Sequence, residues 1–296
     1  MSVVVAIGHI NLDHVVTINR PIRPGVTSLI ERRHSVAEGR LGGCALNVAV
    51  GLVGAGVSAE VVSFVGQDAD GQLILSRLRE LGVGTCGIER DPSRRTGTTW
   101  LPSVPGGESY CVYDAGGPPA AELTAVQRSR IKDCDWLVAA VGPPAPCREA
   151  LDSLRADARL VWAVKADHDS VPPELARRLL SRANVIVLNA SEHAFLDQQL
   201  GQGWRLAGAS GALVVETQGA DGVQLWQGER DLVVGLSEPL DVDDAVGAGD
   251  AFVAGLVAGL IAGADGENAA RLGMQTAAAL LADRQAPPDP EVPQIR

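Results

Sequence analysis

A glycine-flanked aspartate at the mouth of an apolar helix is the strongest chemical signal in the chain. Residues 243–250 read Asp-Asp-Ala-Val-Gly-Ala-Gly-Asp and run directly into the apolar stretch 251–264. Gly247 and Gly249 carry no side chain, so an anion can approach the backbone N–H groups there. A helix that starts at this point adds unpaired N–H groups and the positive end of its dipole. Together they suit the oxygens of a phosphate in transfer. Asp250, in the first turn, would be held ionised by the same dipole and could accept the proton of an attacking hydroxyl. The plainer alternative is that Asp250 only caps the helix.

Four other segments could carry chemistry. Gly42-Gly43-Cys44-Ala45-Leu46-Asn47 places two glycines before a helix, so a substrate could lie against bare backbone. Asn47 offers a donor and an acceptor for hydroxyl groups; the alternative is an ordinary glycine-rich turn. Asn11-Leu12-Asp13 follows the first strand, where ligands bind in open α/β sheets. Asp13 could accept from two neighbouring sugar hydroxyls, or simply make a turn. Asn189-Ala190-Ser191-Glu192 also follows a strand. Glu192 could hold magnesium through water near nucleotide phosphates, or favour a helix start. Thr217-Gln218-Gly219-Ala220-Asp221-Gly222 is a turn between strands, suited to nucleotide contacts or to a plain hairpin.

The elements that must position these segments follow from periodicity. Apolar runs predict strands at 3–8, 61–65, 136–141, 160–164, 185–188 and 213–216, with shorter ones near 223–226 and 231–234. Helices are expected over 45–53, 147–156, 173–182, 191–200, 249–263 and 266–283. Asp70 is expected to cap another, with Ile74, Leu78 and Leu81 on one face and Gly82 as its stop. Such alternation implies an α/β fold, a mostly parallel sheet with helices on both faces. Two extended inserts, about 14–40 and 96–113, lie outside the core. The second reads as a hairpin of 96–101 and 108–113, and the two could pair as a small sheet. A single domain over 1–286 is expected, with a loose proline-rich tail at 287–296.

Composition narrows the partners. The net charge of −11 argues against nucleic acid. Five cysteines at wide, odd spacing, with no C-x-x-C, argue against disulfides or zinc and point to a reducing cytoplasm. The N-terminus lacks a signal-peptide pattern, and 251–264 is too short to span a bilayer and is broken by Gly255 and Gly259. No membrane partner is expected. Residues 50–56 superficially suggest a dinucleotide turn but do not fit G-x-G-x-x-G, and no P-loop pattern occurs.

Taken in order, these segments resemble the ribokinase-like (PfkB) carbohydrate kinases. One signature region runs from Gly42-Gly43-x-x-x-Asn47 through Val65-Gly66-Gln67-Asp68-x-x-Gly71. The other is Asp244-Ala245-Val246-Gly247-Ala248-Gly249-Asp250-Ala251-Phe252. Asn189-x-x-Glu192 is similar to the family's N-x-x-E motif, and Thr217-x-Gly219-x-x-Gly222 to its nucleotide-binding turn. The resemblance spans Gly8 to about Ala282.

The resemblance implies an α/β core with a small β-sheet lid. It implies transfer of the ATP γ-phosphate to a primary hydroxyl of a sugar or sugar-like group, with Asp250 as base. Gly247, Ala248 and Gly249 would form the anion hole. Asp13, Gly42, Gly43 and Asn47 would bind the acceptor. Asn189 and Glu192 would place magnesium and phosphates, and Thr217, Gly219 and Gly222 would lie by the nucleotide. Asp244 would sit near a monovalent-cation site. Lids in this family pair between subunits, which implies a homodimer. The chain also departs from the family pattern. Ala245 and Val246 replace two threonines, which leaves a potassium requirement open. Cys44 replaces the lysine of ribokinases, and no acid follows the strand at 137–142, so ribose itself is not the expected acceptor. A nucleoside kinase of the same fold is the alternative, since Trp100, Tyr110 and Tyr113 in the lid could pack on a sugar, stack on a base or form lid core. A non-catalytic ligand-binding protein and an NAD-dependent oxidoreductase are the remote ones.

Overall fold

The computed structural model describes residues 2–34, 39–105, 109–120, 122–205, 211–235 and 245–285. The loose-tail expectation at 287–296, and parts of both inserts, lie outside these residues. The first half of the chain forms β1 (Val4–Ile7), β2 (Asn11–Ile18), β3 (Ile30–Arg33), β4 (Arg40–Gly42), α1 (Cys44–Gly54), β5 (Ala59–Gly66), α2 (Ala69–Glu80), β6 (Ile88–Asp91), β7 (Gly97–Ser103) and β8 (Val112–Asp114). The second half forms α3 (Ala125–Asp133), β9 (Trp136–Ala139), α4 (Pro144–Ser153), β10 (Arg159–Ala163), α5 (Pro173–Arg182), β11 (Val185–Asn189), α6 (Ala190–Leu200), β12 (Leu213–Thr217), β13 (Val223–Gln227), β14 (Arg230–Val234), α7 (Ala248–Ile261) and α8 (Gly266–Gln285).

The apolar runs assemble into one sheet of nine strands, ordered β14-β13-β12-β11-β10-β9-β1-β5-β6. From β12 to β6 every pair is parallel, and only β13 and β14 run against their neighbours. Strands buried on both faces must be apolar on both, so β1 reads as a continuous run rather than an alternation. Its side chains divide between two cores. Val4 packs with Leu46 and Leu52 of α1, Ile74 of α2, and Phe252 and Val257 of α7. Val5 packs with Ile131 of α3, Leu175 and Leu179 of α5, and Phe195 of α6. The strand order turns at β1, which has β5 on one side and β9 on the other; ligands bind beyond the carboxyl ends of strands at such a switch point.

A second, smaller sheet covers that end. In it β2 pairs antiparallel with β3 and β4 and parallel with β7, and β7 pairs antiparallel with β8. The 96–113 hairpin and the joining of the two inserts are therefore both present. The first insert differs from expectation, however. It begins at Asn11, and Leu12, Val15, Val16 and Ile18 are buried, so β2 is core to the lid rather than peripheral.

Two further corrections concern caps and polar elements. Asp68, not Asp70, caps α2: its Oδ1 accepts from Gly71 N at 2.8 Å. The same carboxylate accepts from Thr96 N at 2.7 Å, which fixes the start of α2 against the start of β7. Helix α3 escapes periodicity because only Gln127 and Ile131 are buried along it. It is held instead by a Thr124–Gln127 capping box and by Gln127 Nε2, which donates to Ser63 O at 2.8 Å and Gly87 O at 3.0 Å.

Candidate active site

The carboxyl ends of β1, β10, β11 and β12 open with the lid onto a cleft of about 550 Å³, the size of a small-molecule site. Asp250 lies at its base. Gly247, at φ 83° and ψ −1°, caps α7 in a left-handed conformation that favours glycine. Asp250 is then the third helical residue. Two side chains of α1, one turn apart, bond to its carboxylate: Asn47 Nδ2 donates to Oδ2 at 2.8 Å, and the Cys44 thiol donates as well. Helix α1 reaches α7 closely because Gly51 has no Cβ; one would stand 2.6 Å from Ala254 Cβ.

Burial pushes the Asp250 carboxyl up to about 6, against the hydrogen bonds of Asn47 and Cys44 and the charge of Lys165, which pull it down. The dipole alone would have kept it in the ordinary carboxylate range, so desolvation wins here. At pH 7 roughly nine-tenths of it is still ionised. Burial and the neighbouring Asp250 charge push the Cys44 thiol well above its ordinary range. It therefore stays a protonated donor.

On the lid side, Asn11 and Asp13 project from one face of β2 into the cleft. Asn11 Nδ2 donates to Asp13 Oδ1 at 2.6 Å and to Thr99 Oγ1 of β7 at 2.7 Å. Burial raises the Asp13 carboxyl, with Arg40 and the Asn11 and Thr99 bonds acting the other way. The glycine pair makes this network possible. A Cβ on Gly42 would stand 2.2 Å from Asp13 Cγ, and one on Gly43 would stand 2.3 Å from His9 O.

On the opposite side, Asn189 and Glu192 form a capping box at the start of α6: Glu192 Oε2 accepts from Asn189 N at 2.9 Å, and Asn189 Oδ1 accepts from Glu192 N at 3.0 Å. Helix capping and cleft lining thus coincide, for Glu192 Oε1 faces Lys165 Nζ at 3.9 Å. Among the described residues no three His, Cys, Asp or Glu side chains gather into a metal cluster. One carboxylate with one oxygen turned to the cleft fits magnesium, which keeps waters and takes its remaining ligands from nucleotide phosphates.

Residues 1–291 match the pfkB family of carbohydrate kinases. The chain belongs to that family. It is 29% identical to a fructokinase of Vibrio alginolyticus over 77% of this chain and 78% of that protein. It is 28% identical to an ATP-dependent ribose-1-phosphate kinase of Halopiger xanaduensis, over 90% and 87% of the two chains. Its fold is that of the Methanocaldococcus jannaschii nucleoside kinase, an archaeal member of the ribokinase family, with TM-score 0.78 at 19% identity over 95% and 92% of the chains. The parallel sheet and separate lid are the ribokinase-like architecture.

Of the residues singled out from this pfkB kinase's sequence, Asp13, Gly43, Asn47, Asn189, Glu192, Thr217, Gly247, Gly249 and Asp250 line the one cleft. Gly42 and Ala248 stand behind its wall. The Ala248 N–H is taken by Ala245 O at 3.1 Å and the Ala251 N–H by Gly247 O at 2.9 Å, which leaves those of Gly249 and Asp250 for an anion. Gly219 and Gly222 shape the turn between β12 and β13 at φ 59° and 98° rather than the cleft wall; a Cβ on Gly222 would stand 2.2 Å from Val234 O. Asp244 lies outside the described residues. The Val246 carbonyl accepts from the Arg284 guanidinium of α8.

Sequence reasoning missed His9, Thr99, Lys165 and Asp167 in the cleft. Lys165 and Asp167 lie just beyond β10, so the strand-end rule that selected Asp13 and Asn189 could have found them. Burial pulls the His9 imidazole down to about 4, which keeps it neutral, and it bonds the Tyr113 hydroxyl at 3.0 Å, tying β8 of the lid to the body. Trp100 turns away from the cleft and stacks on His14, ring centroids 4.5 Å apart.

Proposed function

We propose that this protein transfers the γ-phosphate of ATP to a primary hydroxyl of a sugar, with Asp250 as general base. The observation that carries this is one carboxylate, oriented by Cys44 and Asn47, at the start of a glycine-led helix and across the cleft from the Asn11–Asp13–Thr99 network. The network suits two neighbouring hydroxyls of an acceptor, whose third hydroxyl then faces Asp250. Asp250 takes the proton as that oxygen attacks, and the first-turn N–H groups of α7 hold the transferring oxygens. Magnesium, held through Glu192 and the nucleotide, offsets phosphate charge when bound. An ADP-release assay with magnesium-ATP over pentoses, hexoses, sugar phosphates and nucleosides tests the reading. A sugar-dependent signal is expected. A signal from nucleosides alone would favour the nucleoside kinase reading, and silence from every acceptor would count against phosphotransfer. Replacing sodium by potassium in the same assay is expected to change the rate by less than about twofold, because the positive charge of the Arg284 guanidinium already stands at the Val246 carbonyl and repels a second cation there.

The lid's outer face supports a homodimer. His14, Trp100 and Val112 stand side by side in the register of β2, β7 and β8, and Ile30, Trp100 and Val112 are exposed by 44%, 39% and 56%. Large apolar side chains grouped on one exposed face mark an association surface. Sedimentation is expected to give a dimer for the wild type and a monomer for Trp100→Glu; a monomeric wild type would end the proposal.

A further inference from the structure

We infer that Lys165 is a catalytic residue that binds the transferring phosphoryl group; this rests on the phosphotransfer reading above. Lys165 is the single Lys or Arg among the described residues that line the cleft, which carries four carboxylates, those of Asp13, Asp167, Glu192 and Asp250. Its ammonium stands 3.9 Å from Glu192 Oε1, too far for a hydrogen bond. The side chain is half-exposed to the cleft, and among the described residues its ammonium donates no hydrogen bond. The ammonium therefore has donors available to a ligand in the cleft that Glu192 and Asp250 also line. Its charge acts together on Cys44, Glu192 and Asp250, the residues at the two ends of the transfer path. A γ-phosphate travelling from nucleotide to acceptor must cross that interval.

The backbone under Lys165 is well fixed. Val164 N donates to Val187 O of β11 at 2.9 Å, and Asp167 N donates to Lys165 O at 2.9 Å. The Asp167 carboxylate then closes the turn by accepting from Asp169 N at 3.0 Å and Ser170 N at 2.9 Å. Lys165 is thus held at its root, while its tip has one loose ion pair to Glu192 and donors left for a ligand in the cleft. The reaction needs such a group. As the acceptor oxygen bonds to the γ-phosphorus, the bond to the ADP oxygen breaks, the acceptor proton passes to Asp250, and charge on the three equatorial oxygens is met by the Lys165 ammonium.

The test compares nucleotides as well as rates. Magnesium-AMPPNP and magnesium-ADP would be titrated calorimetrically into wild type, Lys165→Met and Lys165→Arg. The wild type is expected to prefer AMPPNP. Lys165→Met is expected to keep ADP affinity within about twofold, to lose at least about tenfold in AMPPNP affinity, and to lose roughly 10²–10³-fold in kcat at unchanged acceptor KM, the usual range for one donor at a developing charge. Lys165→Arg should recover part of both. Equal loss for both nucleotides would make Lys165 structural and overturn the proposal. A change confined to acceptor KM would assign it to an acidic acceptor instead, and no change in any of them would also overturn it. A wild type that binds both nucleotides without preference sinks only the Lys165 inference, whereas one that binds neither sinks the phosphotransfer reading with it.

Discussion

Asp250→Asn is expected to lower turnover by roughly 10²–10⁴-fold, the range for loss of a general base, with ATP affinity within about twofold. The same variant should melt higher than the wild type at pH 7 to 8. Asparagine keeps the shape and an acceptor oxygen for Asn47 Nδ2, which donates at 2.8 Å in the native protein. It removes the proton-accepting charge and one of the two acceptor oxygens, so the Cys44 thiol has to share the remaining oxygen or turn its proton away. The stability gain follows from the sign of the pKa shift. The native carboxyl titrates at about 6 against an ordinary 3.8, because the site disfavours the charged form. The favourable protonated state contributes fully below the unfolded value and is lost as pH rises through about 6. Above that, the wild type carries a penalty on the order of 3 kcal/mol, from about 1.36 kcal/mol per unit, which the variant lacks. In a protein of this size that is several degrees in Tm. The wild-type kcat/KM should fall about tenfold per pH unit below about 6, while the residual rate of the variant stays flat there. A variant that turns over like the wild type would remove Asp250 as the base. A variant that melts at the same temperature would leave catalysis intact but remove the desolvation account.

The elements most legible in the sequence are those whose stability is local. Helix α5 matches its expected span, 173–182, because Leu175, Ala176, Leu179 and Leu180 make one apolar face and proline opens the helix. The central strands were legible for a similar reason: apolar on both faces, they admit few other readings. What failed depended on partners far away in the chain. The burial of β2 comes from its parallel pairing with β7, in which Asn11 sits opposite Gly97 and Asp13 opposite Thr99; nothing within residues 11–18 encodes it. Thr99 enters the site by that same register. Asp68 displaced Asp70 as cap because Thr96, nearly thirty residues on, supplies two more donors to it. At the site, the glycines and Asp250 were visible because their chemistry needs a fixed local spacing. The strand-end rule marks the position of Lys165 as well, but a lysine there reads as surface by residue type, and only the folded sheet sets it against Glu192. The three lid aromatics were undecidable from spacing alone; the pleat divides two of them, since Tyr113 pairs with Thr99 and lines the cleft with it while Trp100, the next residue along β7, faces outward, and Tyr110, before β8 begins, also lines the cleft.

Gly43→Ala is expected to cost roughly 2–5 kcal/mol of stability, the sum of a strained dihedral and an overpacked contact, and at least about 10² in kcat/KM. Gly43 holds φ 91° and ψ 132° as the cap of α1, a region closed to residues with a Cβ. The added methyl would stand 2.3 Å from His9 O, 2.7 Å from Ile10 Cα and 2.9 Å from Asn11 Oδ1. Two of these are backbone atoms, so no flexible side chain can yield. Either the β1–β2 connection retreats, carrying Asn11 and Asp13 with it, or the start of α1 shifts, carrying Cys44 and Asn47 away from Asp250. Both routes displace groups on opposite sides of the proposed acceptor site, and a misplacement near 1 Å is enough for about a hundredfold loss. Gly54→Ala, at the other end of the same helix, is the matched control. Its φ is not positive and a Cβ there meets nothing within 4 Å, so it should be neutral or stabilise by up to about 1 kcal/mol. Thermal melts and acceptor-saturation kinetics on the pair would decide the matter. If Gly43→Ala melts and turns over like Gly54→Ala, the close approach of β2 to α1 is not what holds the acceptor side against the base.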